Sequence, residues 1–181
     1  IDTPSGIDLG ELQPLLPDRL QTKDKRINLA TPEPLSDLPR LLAEFSESGS
    51  DSSPFQLIGR RHVRDCNSWM HNYHRLVKGK NRCTLMMHPE DAATLKLDDG
   101  ALVSVASRIG QIEALLEITD QVMPGVVSLP HGYGHDRAGI RMDTAIVHKG
   151  VSCNDVTDHE YLDELSGNAA VNGVPVSVSA A

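Results

Sequence analysis

The chain has 181 residues, of which 39% are hydrophobic and only 3% aromatic, and its net charge is −8. That length supports one domain with a core of its own, and the core must be aliphatic. The acidity argues against nucleic-acid binding over the whole surface, and no apolar run reaches the roughly 18 residues of a membrane-spanning helix, so neither partner is expected.

Residues 1–34 are proline-rich with little periodicity, and read as extended chain or the tail of a preceding domain. "LSDLPRLLAEFSES" predicts a short helix. Ser36 or Asp37 caps it, Pro39 falls in its first turn, and Leu38, Leu41, Leu42 and Phe45 share a face. The polar break "SGSDSSP" (48–54) divides an upstream segment or linker, 1–54, from a domain at 55–181. Strands follow at "FQLIG" and "CTLMMH". "HPEDAATLKL" reads as one or two helical turns, with Pro89 tolerated and Glu90 and Asp91 favouring the N-terminus. "DDG" is a turn. "ALVSVAS" and "QIEALLEI" predict a hairpin around "RIG" (108–110), and the second strand alternates nearly perfectly between apolar and polar. "PG" leads into the strand "VVSLP", and a long loop, "HGYGHDRAGIRMDTAIVHKG", comes next. After "VSCN", a helical turn is expected in "DHEYLDELSG", then a last strand, "VPVSVS". Some six short strands and few helices predict a compact all-β barrel with small helical insertions.

Cys66, Cys83 and Cys153 are odd in number and form no C-x-x-C pair. Reduced thiols in a cytoplasmic protein are expected, with no disulfide framework and no structural zinc. The chain opens on "IDTPSGIDLGELQP" without a methionine, so it is expected to be part of a longer protein.

The most informative stretch is basic. Between Arg60 and Arg82 stand seven Arg and Lys residues, opposed by Asp65 alone, so this island carries +6 and the rest of the chain −14. An anionic partner held at one place is the reading that charge pattern suggests. Arg presents forked donors that fit phosphate oxygens, and Asn67, Ser68, His71 and Asn72 add neutral ones. Arg60 and Arg61 follow a strand directly and so leave the barrel at its rim. A solvated loop is the competing reading. Trp69 and Tyr73 suit base stacking, but the acidity of the remaining chain weighs against nucleic acid.

In "PHGYGHDRAG" (130–139), His131 and His135 lie four apart, but Gly132 and Gly134 make a helical metal site improbable and zinc lacks a third ligand. Glycines there suit close backbone approach to an anion, and a surface loop is the alternative. In "SCNDVTDHEYLDELSG", Asn154, Asp155, Thr157 and Asp158 either cap a helical turn or read the donor edge of a purine or pterin ring. No spacing singles out a catalytic set.

Three phrases in order carry a family resemblance: "LIGRRHVRDCNSWMHN", "MHPEDAATLKLDDGALVSVASRIGQIEALLEITDQVMPGVVSLPHGYGHD" and "VSCNDVTDHEYLDELSGNAAVNGVPVSV". Residues 55–181 resemble the C-terminal cofactor-binding domain of the molybdopterin oxidoreductases, the family of formate dehydrogenases, nitrate reductases and dimethyl sulfoxide reductase. Residues 1–50 are similar, with lower specificity, to the stretch just upstream.

The resemblance implies a six-stranded double-psi β-barrel. It implies molybdopterin guanine dinucleotide as the ligand, a pterin joined through a pyrophosphate to guanosine. Arg60, Arg61, His62, Asn67, Ser68, His71 and Asn72 then fall on the first cofactor loop. His131, Gly132 and His135 fall on the second, and Asn154 and Asp155 on the third. Arg108, in the hairpin turn, is expected to be remote from them. The upstream domains of the same enzyme are the expected protein partner, and they hold the molybdenum ligand, any iron–sulfur cluster and most of the substrate pocket. This chain alone is therefore expected not to catalyse, with no catalytic residue or metal ligand of its own. Formate is the substrate the resemblance slightly favours. The alternative function is a non-enzymatic barrel of the same shape that binds a nucleotide or a protein partner.

Overall fold

The computed structural model describes residues 5–47 and 55–181. The break at 48–54 therefore lies outside the described residues, as does the side chain of Phe45. The chain divides into two compact units, Ile1–Ser46 and Glu47–Ala181.

The first unit carries α1 (Pro32–Glu47), which begins several residues earlier than expected. Pro32 opens the helix, where a missing N–H costs nothing. Pro39 consequently lies inside the helix and not in its first turn. Ser36 and Asp37 are not caps either. The Ser36 hydroxyl donates back to the Glu33 carbonyl, and Asp37 accepts both arms of Arg40. Leu35, Leu38, Leu41 and Leu42 are exposed.

The second unit is a closed barrel of six strands. In chain order they are β1 (Phe55–Arg60), β2 (Thr84–Met87), β3 (Leu102–Ala106), β4 (Gln111–Ile118), β5 (Val126–Pro130) and β6 (Val174–Ala180). Around the barrel the order is β1-β5-β2-β4-β3-β6. The pairs β1/β5 and β2/β4 are parallel and the other four antiparallel. Period-two alternation explains the interior. In β4, Ile112, Ala114 and Leu116 point inward while Gln111, Glu113 and Leu115 do not. With Leu85, Met87, Val103, Val105, Val127, Leu129, Val174 and Val176 they form one aliphatic core. The helix expected after β2 is α3 (Pro89–Leu95), with Pro89 in its first turn and the His88 side chain as its cap.

Parallel pairing determines where the long connections emerge. β1 and β5 end in register, Arg60 beside Pro130, so the loops leaving them start at the same end of the barrel. β6 runs antiparallel to β1 and pairs Val174 with Leu57, so the chain re-enters the barrel at that end too. The β3–β4 turn joins them, because β3 runs antiparallel to β6 and beyond the Ala106–Ser177 pair heads toward the start of β6. Two short helices in these connections, α2 (His74–Val77) and α4 (Asp143–Val147), had no clear sequence signal. The helical turn expected in 158–167 is absent. Leu162 instead forms an isolated antiparallel bridge with Ala169, around a turn whose Ser166 N–H donates to Asp163.

Candidate functional site

Three loops meet at that end: 61–73 after β1, 131–150 after β5, and 151–173 before β6. The backbone N–H of His131 donates to the Arg60 carbonyl at 3.0 Å, which continues the β1/β5 register into the loops. The Arg61 guanidinium donates to Asn67 Oδ1. Cys66 and Asn67 adopt left-handed backbone angles, φ 43° and 62°, and make the sharp turn that brings Asn67 against Gly132. Gly132 is required there. Its φ is +96°, and a Cβ would lie 2.2 Å from the Asn67 carbonyl oxygen.

Polar side chains tie the first two loops together more deeply. His71 Nδ1 lies 2.7 Å from His135 Nε2, and both rings are buried. Asn72 Oδ1 accepts from the backbone N–H groups of Thr144 and Ala145, at 3.0 and 3.1 Å, at the start of α4. The third loop joins through Arg137, which pairs with Asp155, and through His131 Nδ1, 3.9 Å from the Cys153 sulfur. Burial pushes the Cys153 thiol up, which keeps it protonated.

Beside these loops lies a groove of about 880 Å³. Its floor is the outer barrel face, with Ile58, Met86 and Ser128 from β1, β2 and β5. Arg61, His62, Arg64, Lys78 and Lys80 stand around it, all exposed. Its two carboxylates are already engaged. Asp65 is buried against Arg82 at 3.0 Å, and Glu117 accepts from the Thr84 hydroxyl with Lys80 at 3.7 Å. The groove therefore presents cationic donors to anything that enters it.

The residues singled out in the sequence thus share one end of the barrel but do different work. Arg61, His62, Asn67, Ser68, His131 and Asn154 are exposed or half-buried there. His71, Asn72, His135 and Asp155 are occupied in holding the loops to one another. Arg60 is turned back onto the barrel and donates to the carbonyls of Ser128, Thr84 and Arg82, at 2.5 to 3.2 Å. Burial pulls its pKa below the ordinary value against the opposing pull of Glu117. Asp65, Arg82 and Tyr133 were missed by the sequence reading. The signal for Asp65 was its being the one acid in a run of seven bases.

One expectation is corrected. Arg108 is not remote: it donates to Asp158 at 2.6 and 2.7 Å and to Glu160 at 2.8 Å, and so braces the third loop. The same pair holds the Asp158 carboxyl down to about 2. Gly110, two residues on, has no room for a Cβ against the Asp155 carbonyl. Arg108→Ala should raise amide hydrogen exchange through 152–160 while leaving exchange in the β strands unchanged. Equal exchange in 152–160 for variant and parent would show that the brace is idle.

A closed six-stranded barrel with three cross-linked loops and a cationic groove at one end has a rim suited to an anionic ligand. The chain belongs to the molydopterin dinucleotide binding domain family, whose family-wide pattern matches residues 55–175. The barrel is the double-psi type that this family implies. A tetrathionate reductase subunit from Salmonella typhimurium is 24% identical over 162 residues, 80% of this chain and 14% of that protein. The molybdopterin-containing subunit of the arsenate respiratory reductase from Chrysiogenes arsenatis is 30% identical over 131 residues, 66% of this chain and 15% of that protein. Among solved structures, acetylene hydratase from Pelobacter acetylenicus shares the fold, with a TM-score of 0.57 and 20% identity over 76% of this chain and 20% of that one. The chain thus spans about one seventh of the length of the two curated relatives.

Proposed function

We propose that this chain supplies part of the binding surface for molybdopterin guanine dinucleotide in a molybdenum-dependent oxidoreductase. The observation that carries the reading is the convergence of three family-matched loops at one barrel end, beside a groove ringed by exposed Arg and Lys side chains. The donor set fits the ligand. Arg61 and Arg64 offer planar forks to pyrophosphate oxygens, Lys78 adds a point charge, and the two carboxylates nearby are already engaged, Asp65 by Arg82 and Glu117 by Thr84 and Lys80. Exposed Asn67 and Asn154 present amides suited to a pterin or purine edge. When bound, the molybdenum centre supplies the two-electron redox chemistry. The chain's own residues bind and orient the cofactor, and the domain alone is not catalytic. The upstream domains of the same enzyme complete the site.

Formate remains the substrate suggested by the resemblance, while the two relatives are named for tetrathionate and arsenate. A cytoplasmic location is part of this reading, supported by an odd number of widely spaced cysteines in the sequence.

The test uses full-length enzyme carrying Arg61→Ala and Arg64→Ala together. Losing a charge-assisted hydrogen bond costs about 1.5–3 kcal/mol, so each change should weaken cofactor retention by roughly ten- to a hundred-fold. Molybdenum and guanine nucleotide released per purified chain report it. Full content in the double variant would leave the island a solvated loop.

A further inference from the structure

The bond between the first and second loops depends on the position of one proton. His71 and His135 are 1% and 5% exposed, and their facing nitrogens, Nδ1 and Nε2, are 2.7 Å apart. Two neutral imidazoles make that bond only when one nitrogen carries a hydrogen and the other a lone pair. The far side of His71 decides which. Its Nε2 faces Asp65 Oδ1 at 3.3 Å, close enough for charge but not aligned as a hydrogen bond. Asp65 is pinned by Arg82 at 3.0 Å, and the Tyr133 ring covers His71 with centroids 4.3 Å apart. A carboxylate on that side favours the proton on Nε2, which leaves Nδ1 to accept from His135 Nε2–H. Among the described residues, Asp65 Oδ2, His71 Nε2 and Arg82 Nε are buried without a hydrogen-bond partner.

We propose that His71 and His135 are positioning residues of the cofactor site: they hold loops 61–73 and 131–150 together by sharing a proton, and release them when both rings become imidazolium. The proposal rests on the reading of these loops as the cofactor site. Neither residue need touch the ligand. With both rings charged, each facing nitrogen is a donor and the bond is replaced by repulsion. Burial holds both rings below the ordinary histidine value, and for His135 the charge of His71 adds to it. The groups around the pair act in opposite directions. Asp65 and the Gly132 backbone favour protonation of His71 and Arg82 opposes it, while Asp136 favours protonation of His135. Tyr133 stays neutral, raised to about 12, and the Asp136 charge is answered by Lys149 at 3.2 Å. The folded-state pKa values lie below the unfolded value of about 6.5, so the clamp's contribution is present above that pH and lost as pH falls through the lowered values.

The experiment replaces the titrating pair with one that does not titrate. In the double variant His71→Asn, His135→Gln, the Asn amide stands where Nδ1 was and the Gln amide where Nε2 was. The amides can hydrogen-bond without gaining charge. In full-length enzyme at pH 7.5 it should retain cofactor within about twofold of the parent, whereas His135→Leu should lose about tenfold or more. As pH is lowered stepwise below 6.5 the parent should shed cofactor and the double-amide variant should not. In the cofactor-free 181-residue chain, imidazole nitrogen NMR should show one shared proton that is lost as a feature on acidification. Acid loss that is equal in the parent and the double-amide variant overturns the proposal. So does cofactor content that is insensitive to His135→Leu while the Arg61/Arg64 variant loses it, since the site reading then stands without the clamp. If neither variant loses cofactor, the site reading itself fails and the positioning role falls with it.

Discussion

Gly132→Val should strip the enzyme of cofactor and destabilise the barrel domain by roughly 3 kcal/mol or more. Two effects combine. The backbone angle of +96° is closed to a β-branched residue, and the first added carbon would stand 2.2 Å from the Asn67 carbonyl oxygen and 2.6 Å from its carbon. Those are backbone atoms at the turn made by Cys66 and Asn67, so they cannot swing aside as a long side chain does. Relief requires parting the first and second loops, which also separates the groups that face the ligand. Urea unfolding and cofactor content per chain measure both. A Gly132→Val enzyme with parental stability and full cofactor content would mean that the loops do not meet as described.

Asp65→Ala should be comparably costly, at about 3–5 kcal/mol, because it leaves the half-buried Arg82 charge without its carboxylate. His71 would lose the group that orients its proton. A fall in Tm on the order of 10 °C is expected, and Asp65→Asn, which keeps an acceptor for Arg82, should recover part of it. An unchanged Tm would show that Arg82 finds another partner. Arg82 already donates to the Leu76 carbonyl at 3.2 Å, but a neutral acceptor does not replace the carboxylate charge.

The strands were readable because their signal is local. Gln111–Ile118 alternates between core and surface residue by residue, and the structure gives that strand the bounds read from the sequence. The six-strand count and the barrel followed from the same rhythm. What alternation does not carry is pairing. Nothing in "FQLIG" or "VVSLP" announces that they lie parallel and end together, yet that register is what joins the loops after Arg60 and Pro130. The error over Arg108 has the same origin. The turn is distant in sequence, but β3 pairs with β6 and returns it to the third loop.

Side-chain destinations were less legible than loop positions. Arg60 and Arg61 are adjacent and chemically identical, but strand alternation sends the first against the carbonyls of β5 and β2 and leaves the second exposed. An Arg60/Arg61 double variant would therefore confound barrel stability with ligand contact, and Arg61 with Arg64 is the cleaner pair. His71 and His135 read as ligand contacts because histidines in glycine-rich and basic loops usually face solvent. Their burial arises from a partner 64 residues away, which no local pattern reveals. At 158–167 the acidic, leucine-bearing run looked helical. The Asp163 carboxylate accepts from the Ser166 N–H and closes a turn instead.

Amide hydrogen exchange on full-length enzyme, compared with and without its molybdopterin cofactor, tests the central claim most directly. Cofactor should slow exchange together in 61–73 and 131–139, with smaller protection at 152–156, and leave the strand amides of β3 and β4 as they were. Exchange in 61–73 and 131–139 that is identical in the loaded and cofactor-free enzyme would contradict the assignment of these loops as the cofactor surface.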